Sequence, residues 1–245
     1  MSDLDYVLDR PATARLGLIV LQVDETIEGD FRRLLPAEVE LFVSRVPSGL
    51  EVTRETLGEM EGHLPQAASL LPQSATFDSI GYGCTSGTSV IGTARVGELV
   101  HQGVATRSVT EPVSALIAAC QHLGVARIGF LSPYVAEVSL GLRNVLAESG
   151  IDTPAFASFN VAEEAKVARI SPASTANGAA RLCEEAGVDA VFLSCTNLRT
   201  LDILAGLERR VGRPVLSSNQ VLAWHMMRLA GIDSGIPGFG RLFEH

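Results

Sequence analysis

The chain has 245 residues, enough for one large domain or two small ones with a substantial core. With 47% hydrophobic and 19% charged residues it reads as an ordinary soluble α/β protein, and a net charge of −9 leaves no basic face for nucleic acid. No apolar run reaches the roughly 18–20 residues of a membrane span, and the acidic, polar start MSDLDYVLDR has no signal-like apolar core, so a cytoplasmic protein with no membrane partner is expected.

Residues 16–23, LGLIVLQV, form an apolar run of the kind a parallel sheet buries on both faces, with Asp24 at its carboxyl end. A short helix over 26–35 closes at Pro36, and a second strand spans 39–46. Thr53 is a candidate N-cap for a helix running towards Leu71. The third strand, 77–82, leads into Cys84, followed by a helix over 86–102 and a fourth strand within 103–109.

The pattern then starts again. Residues 111–123 are helical, with Pro112 in the first turn, and 127–131 form a strand ending at Ser132, Pro133 and Tyr134. A helix to 149, a strand over 155–160, a helix from Pro172 to 187 and a strand over 189–193 lead to Cys195. A helix over 200–211, a strand over 214–216 and a helix over 219–230 close the fold. The glycine-rich tail ending in LFEH is expected to be a surface extension or partner contact.

Alternating strands and helices predict βαβ units and parallel sheets, with every strand-to-helix turn on the ligand-binding edge. Asp24, Cys84, Tyr134, Asn160 and Cys195 each follow a predicted strand. Gly17 and Gly129 lie in similar strands 112 residues apart, and Cys84 and Cys195 are 111 apart. Matching offsets predict two lobes related by a pseudo-twofold, each giving one cysteine to a shared cleft. The division expected is 1–112 with 212–245 as one lobe and 113–211 as the other.

The four cysteines, Cys84, Cys120, Cys183 and Cys195, form no CxxC pair and have no zinc-site spacing, so no metal is expected. Cys120 and Cys183 fall inside helices and are assigned to packing. Cys84 and Cys195 sit in matching Cys-Thr turns before helices, where backbone N–H groups and the helix dipole lower a thiol's pKa. Thr85, Ser86, Thr196 and Asn197 surround them with short donors suited to a carboxylate. One sulfur on each face of a carbon permits racemisation by proton removal and return. It equally permits cis–trans isomerisation by thiolate addition, rotation and elimination. Neither reaction needs a cofactor. GYGCTSGTS lacks the lysine of a phosphate loop, and none of the five histidines adjoins a cysteine.

Taken in order, GCTSGT at Cys84, SPY at Tyr134, FN and VARISP within 159–172, SCTN at Cys195 and PVLSSNQ from Pro214 resemble one family. It is the aspartate/glutamate racemase superfamily, specifically its maleate cis-trans isomerase and arylmalonate decarboxylase branch, and the likeness spans residues 16–230. The resemblance implies two flavodoxin-like lobes with the active site between them, and no metal or organic cofactor. It implies Cys84 as nucleophile and Cys195 as acid/base, with Tyr134 and Asn160 holding substrate carboxylates. Thr85, Ser86, Thr196 and Asn197 match its further donors. Members with one of the two cysteines include decarboxylases, so both thiols point to an isomerase or racemase.

One departure concerns substrate. The family's P-S-x-N-T motif after the first strand is here LQVDET, with Asp24 in the asparagine's place. An aspartate there repels a dicarboxylate and favours ammonium or amidinium; its plainer role is to cap the next helix. The variant resembles a subgroup associated with ectoine utilisation, whose substrates would be cyclic amidines or diamino acids. The expected partner is thus a small, nitrogen-bearing carboxylate, and the expected assembly a homo-oligomer. Maleate cis-trans isomerase activity and a non-catalytic two-lobed ligand-binding role are the alternatives.

Overall fold

The structure is a computed structural model that describes residues 4–8, 13–74, 76–233 and 235–244. The first half runs β1 (Ala14–Leu21), α1 (Ile27–Leu34), β2 (Val39–Val46), α2 (Arg54–Ser69), β3 (Ser79–Gly83), α3 (Thr85–Ile91), α4 (Thr93–Gly103) and β4 (Val109–Thr110). The second runs α5 (Pro112–Leu123), β5 (Arg127–Ser132), α6 (Ala136–Glu148), β6 (Asp152–Ser158), α7 (Glu164–Val167), α8 (Pro172–Glu184), β7 (Ala190–Leu193), α9 (Leu204–Val211), β8 (Val215–Ser217) and α10 (Ser218–Leu229).

Two four-stranded parallel sheets result, ordered β2-β1-β3-β4 and β6-β5-β7-β8. The orders are the same once the second is renumbered, which is the architecture expected from the paired offsets. In each sheet the order in which strands are added reverses between β1 and β3, and between β5 and β7. Ligands of open α/β sheets bind at such a reversal, outside the strands' carboxyl ends. Asp24 and Cys84 follow β1 and β3, and Tyr134 and Cys195 follow β5 and β7. Each lobe therefore delivers two polar side chains from its own switch point.

β1 shows how the sequence builds this. Its alternation sends Leu16, Leu18 and Val20 into one apolar core, shared with α1, α5, α10 and the second lobe. Ile19 and Leu21 enter the other, which also holds Leu57, Met60, Tyr82, Cys84, Tyr134 and Cys195. All of these side chains are buried, and each fully buried aliphatic one contributes about 1.5–3 kcal/mol.

Several local expectations change. The helix expected over 86–102 breaks at Gly92, whose φ of +95° lies where L-residues are strained, so α3 and α4 are separate. The fourth strand shrinks to two residues paired with Ile80 and Gly81. The helix expected from 200 begins only at Leu204, after a run of turns. The boundary placed at 212 also moves. β8 pairs with β7 in the second sheet, and only α10 crosses back to pack on β3, α1 and α5. The tail is no free extension: Leu242 and Phe243 are buried, and the Arg241 N–H donates to Glu208 Oε2 at 2.8 Å. Among the described residues no helix is long and apolar enough to cross a membrane.

Candidate active site

A small cavity of about 10 Å³, room for roughly one water, lies between the lobes. Its lining comprises Leu21, Val23, Asp24, Leu57, Cys84, Thr85, Ser86, Tyr134, Glu164, Cys195, Thr196 and Asn197. Eight of the nine residues singled out from sequence thus meet here. The exception is Asn160, which is exposed, takes φ of +56° and turns its N–H to Ser158 Oγ at 2.8 Å. In its segment the side chain that reaches the cavity is Glu164, 4% exposed.

Cys84 is the N-cap of α3, and its Sγ accepts the Gly87 N–H at 3.2 Å. Cys195 follows β7 in a φ of +123°, a rare conformation for a residue with a Cβ, costing on the order of 1–3 kcal/mol. Two contacts hold it there: its N–H donates to Ser218 Oγ at 3.0 Å, and its Sγ accepts the Asn197 N–H at 3.3 Å. The Thr85 hydroxyl also donates to Ser218 Oγ, at 2.8 Å, so the first residue of α10 ties both cysteine turns together. The thiol acidity expected at such turns is reversed in this small cavity. Burial pushes Cys84 up to about 12 and Cys195 well above its ordinary value, outweighing the N–H contacts that favour thiolate.

Asp24 takes the plainer of the roles foreseen for it, at the start of α1. Its Oδ1 accepts the N–H groups of Thr26 and Ile27, each at 2.8 Å, and so caps α1. Its Oδ2 is buried and takes no hydrogen bond of good geometry; the Thr196 hydroxyl lies close enough to ease the carboxylate's charge but donates to the Gly83 carbonyl at 3.3 Å. Burial raises the Asp24 carboxyl above the usual range despite those two N–H groups. The Arg45 guanidinium does not pair with this carboxylate. It donates to the carbonyls of Leu21, Gln22 and Asp24 at 3.0, 3.0 and 3.1 Å, bracing the turn, and pairs with Glu28.

Glu164 opens α7. Its Oε1 accepts the Tyr134 hydroxyl at 2.7 Å and its Oε2 accepts Asn197 Nδ2 at 2.9 Å. The Tyr134 Oη also lies 2.9 Å from Cys195 Sγ. Burial raises the Glu164 carboxyl, and the Asp24 charge adds to the rise. Asn197 spans the lobes, its Oδ1 accepting the Glu25 N–H at 2.9 Å while its carbonyl accepts the Thr26 hydroxyl at 3.0 Å. The α7 segment is clasped to the first lobe by Val52 N–H to the Ala162 carbonyl at 3.0 Å and Glu164 N–H to the Leu50 carbonyl at 3.1 Å.

Among the described residues no Lys, Arg or His lines the cavity. Beside it, a depression of about 550 Å³ shares Val23, Asp24 and Glu164 and adds Glu25, Glu51 and Glu163. Among the described residues no three His, Cys, Asp or Glu are placed to hold a metal ion. Glu164 escaped the sequence reading, yet it left a signal. On a short helix it shares a face with Val167 and Ala168, which are fully buried, so an acid stands where an apolar residue is expected.

The chain is similar to known proteins over most of its length. Residues 60–243 match the family model described as arylmalonate decarboxylase. The chain is similar to arylmalonate decarboxylase of Bordetella bronchiseptica, 28% identical over 244 residues, covering 97% of this chain and 99% of that protein. It is also similar to a maleate isomerase of Pseudomonas putida, 25% identical over 244 residues, covering 94% and 97%. The crystal structure of the maleate isomerase Iso from Pseudomonas putida S16 superposes with a TM-score of 0.84 at 24% identity, over 94% of this chain and 98% of that one, a likeness of fold. With the family model matching most of its length, the chain belongs to the arylmalonate decarboxylase family of enzymes, in which isomerases and decarboxylases share one fold.

Proposed function

We propose that this protein is a cysteine-dependent isomerase that racemises, or converts between cis and trans, a small carboxylate carrying a cationic nitrogen. The observation that carries the reading is the placement of Cys84 and Cys195, from opposite lobes, on one small cavity. In racemisation the thiolate of one takes the proton on the α carbon while the thiol of the other returns a proton to the opposite face. In cis–trans conversion Cys84 sulfur adds to the alkene, Cys195 supplies the proton, rotation follows, and elimination reverses both steps. The substrate carboxylate would meet the turns at Thr85, Ser86, Thr196 and Asn197.

Asp24 supports the choice of substrate. Among the described residues no basic side chain lines the site, so the weakly satisfied Asp24 carboxylate is costly there, and an ammonium or amidinium satisfies it. Cyclic amidines and diamino acids of the ectoine type have this chemistry. The second reading, a maleate-type isomerase, is favoured by the relatives' activity and by the raised Asp24 carboxyl, which a proton could neutralise. Proton exchange at the α carbon in D₂O distinguishes them, followed by NMR on maleate, aspartate, diaminobutyrate and ectoine-like compounds. The expected result is exchange into a nitrogen-bearing compound, lost in both Cys84→Ser and Cys195→Ser. Isomerisation of maleate alone selects the second reading, and full turnover in either serine variant overturns the two-thiol scheme.

A further inference from the structure

We propose that Glu164 is the proton acceptor for Cys195, reached through the Tyr134 hydroxyl. The inference rests on Cys195 acting as an acid/base thiol, and it concerns how that thiol is switched on. The hydrogen-bonded path is continuous, from Cys195 Sγ to Tyr134 Oη at 2.9 Å and from Tyr134 Oη to Glu164 Oε1 at 2.7 Å. A tyrosine hydroxyl has a single proton, and an ionised Glu164 accepts it. The remaining contact is therefore made by the Cys195 S–H donating to the phenol oxygen.

Transfer along this path conserves charge. The Cys195 S–H bond breaks as a new O–H forms on Tyr134, and the old Tyr134 O–H breaks as one forms on Glu164 Oε1. Thiol and carboxylate become thiolate and carboxylic acid, while the tyrosine is neutral before and after. The alternative, expelling the proton to water with Glu164 still ionised, leaves two anions side by side in a dry site. Burial and the Asp24 charge both favour a protonated Glu164, which makes it a better acceptor. Asn197 serves both ends: its Nδ2 fixes Glu164 Oε2 at 2.9 Å, and its backbone N–H, 3.3 Å from Sγ, receives the thiolate.

Cys84 has no equivalent path. The hydroxyl beside it, on Tyr82, donates to Met60 Sδ at 3.5 Å rather than to a carboxylate. The two thiols are therefore unequal at rest, Cys195 being poised to exchange a proton within the protein.

The test is the rate of iodoacetamide modification of each cysteine at pH 7, read by peptide mass spectrometry, which needs neither substrate nor turnover. A failure here thus leaves the functional reading intact, and the reverse holds too. Glu164→Gln keeps an oxygen for Tyr134 but cannot take the proton. It is expected to slow Cys195 modification by at least about tenfold, the equivalent of one pKa unit, and to leave Cys84 unchanged or faster, since the Glu164 charge raises that thiol too. Tyr134→Phe should slow it equally, and the double variant no further, as members of one path couple. If Glu164 were merely a neighbouring negative charge, its removal would speed Cys195 modification. Faster or unchanged labelling in Glu164→Gln, or a Cys195 inert in the wild type, overturns the relay.

Discussion

At the scale of single residues, the site is decided by which oxygen of a carboxylate is already occupied. Asp24 uses Oδ1 to cap α1 and leaves Oδ2 without a hydrogen bond of good geometry at the cavity. Glu164 has both oxygens taken, by Tyr134 and Asn197, and so belongs to the proton path rather than to ligand capture. Asp24→Asn separates the two roles of Asp24, since the amide oxygen can still accept from Thr26 and Ile27 while the charge is gone. Binding of diaminobutyrate, measured by calorimetry, is expected to weaken by about 1.5–3 kcal/mol, the worth of a hydrogen bond to a charged group. Maleate binding is expected to hold or improve. Equal diaminobutyrate affinity in the two proteins would remove the cation from the substrate. Asp24, Cys84, Tyr134 and Cys195 were legible in the sequence because each sits directly after an apolar strand. Asn160 also follows a strand, yet the chain turns it outward, and position in sequence could not tell the two cases apart.

At the scale of elements, the site depends on how closely the first-lobe helices pack behind Cys84. α2 starts at a capping box, with Thr53 Oγ1 accepting the Thr56 N–H at 3.2 Å and Thr56 Oγ1 accepting the Thr53 N–H at 3.1 Å. The N-cap was readable from sequence, since capping is local. α2 carries Leu57 to the cavity and Met60 to Tyr82. It runs against the end of α4 at Gly103, where an added Cβ would lie 2.3 Å from the Pro65 carbonyl oxygen and 2.6 Å from the Ala68 Cβ. Backbone cannot move out of that contact as a flexible side chain could. Gly103→Ala is therefore expected to destabilise the fold by about 1–3 kcal/mol, as overpacking does. A urea midpoint indistinguishable from wild type would show that the helices can part without cost. Nothing in the sequence around Gly103 announces this contact, because its partners lie more than thirty residues earlier in the chain.

At the scale of the molecule, the two lobes meet through buried polar groups, and this gives their union a pH dependence. Asp30 of α1 is 8% exposed and accepts Asn219 Nδ2 of α10 at 2.8 Å, while the same nitrogen donates to the Thr196 carbonyl at 2.8 Å. Burial raises the Asp30 carboxyl from 3.8 to about 6. The folded state then binds a proton more tightly than the unfolded one. The stability this adds is complete below about pH 4, is lost as pH rises towards 6, and is worth about 3 kcal/mol by linkage. Asp24, Glu111, Glu164 and Glu208 are raised in the same direction, whereas half-buried His225, held below its usual value, acts in the opposite sense. Comparing wild type with Asp30→Asn isolates one group. The stability of wild type relative to the variant should fall between pH 4 and 6 and be flat above 7. A difference that grows with pH would contradict the assignment.

What the sequence determined by itself was the pattern of strands and helices, their doubling into two lobes, and the Cys-Thr turns at the matching switch points. These rest on hydrophobic periodicity and on turn residues acting on near neighbours, and neighbours along the chain are visible in a sequence. The tertiary structure decided the rest. It brought Glu164 to Tyr134 and turned Asn160 to solvent. It returned α10 to tie both cysteine turns through Ser218, and folded the tail onto Glu208. It also reversed the expected acidity of the thiols, because burial is a property of the cavity and outweighs the few N–H groups that a helix start provides.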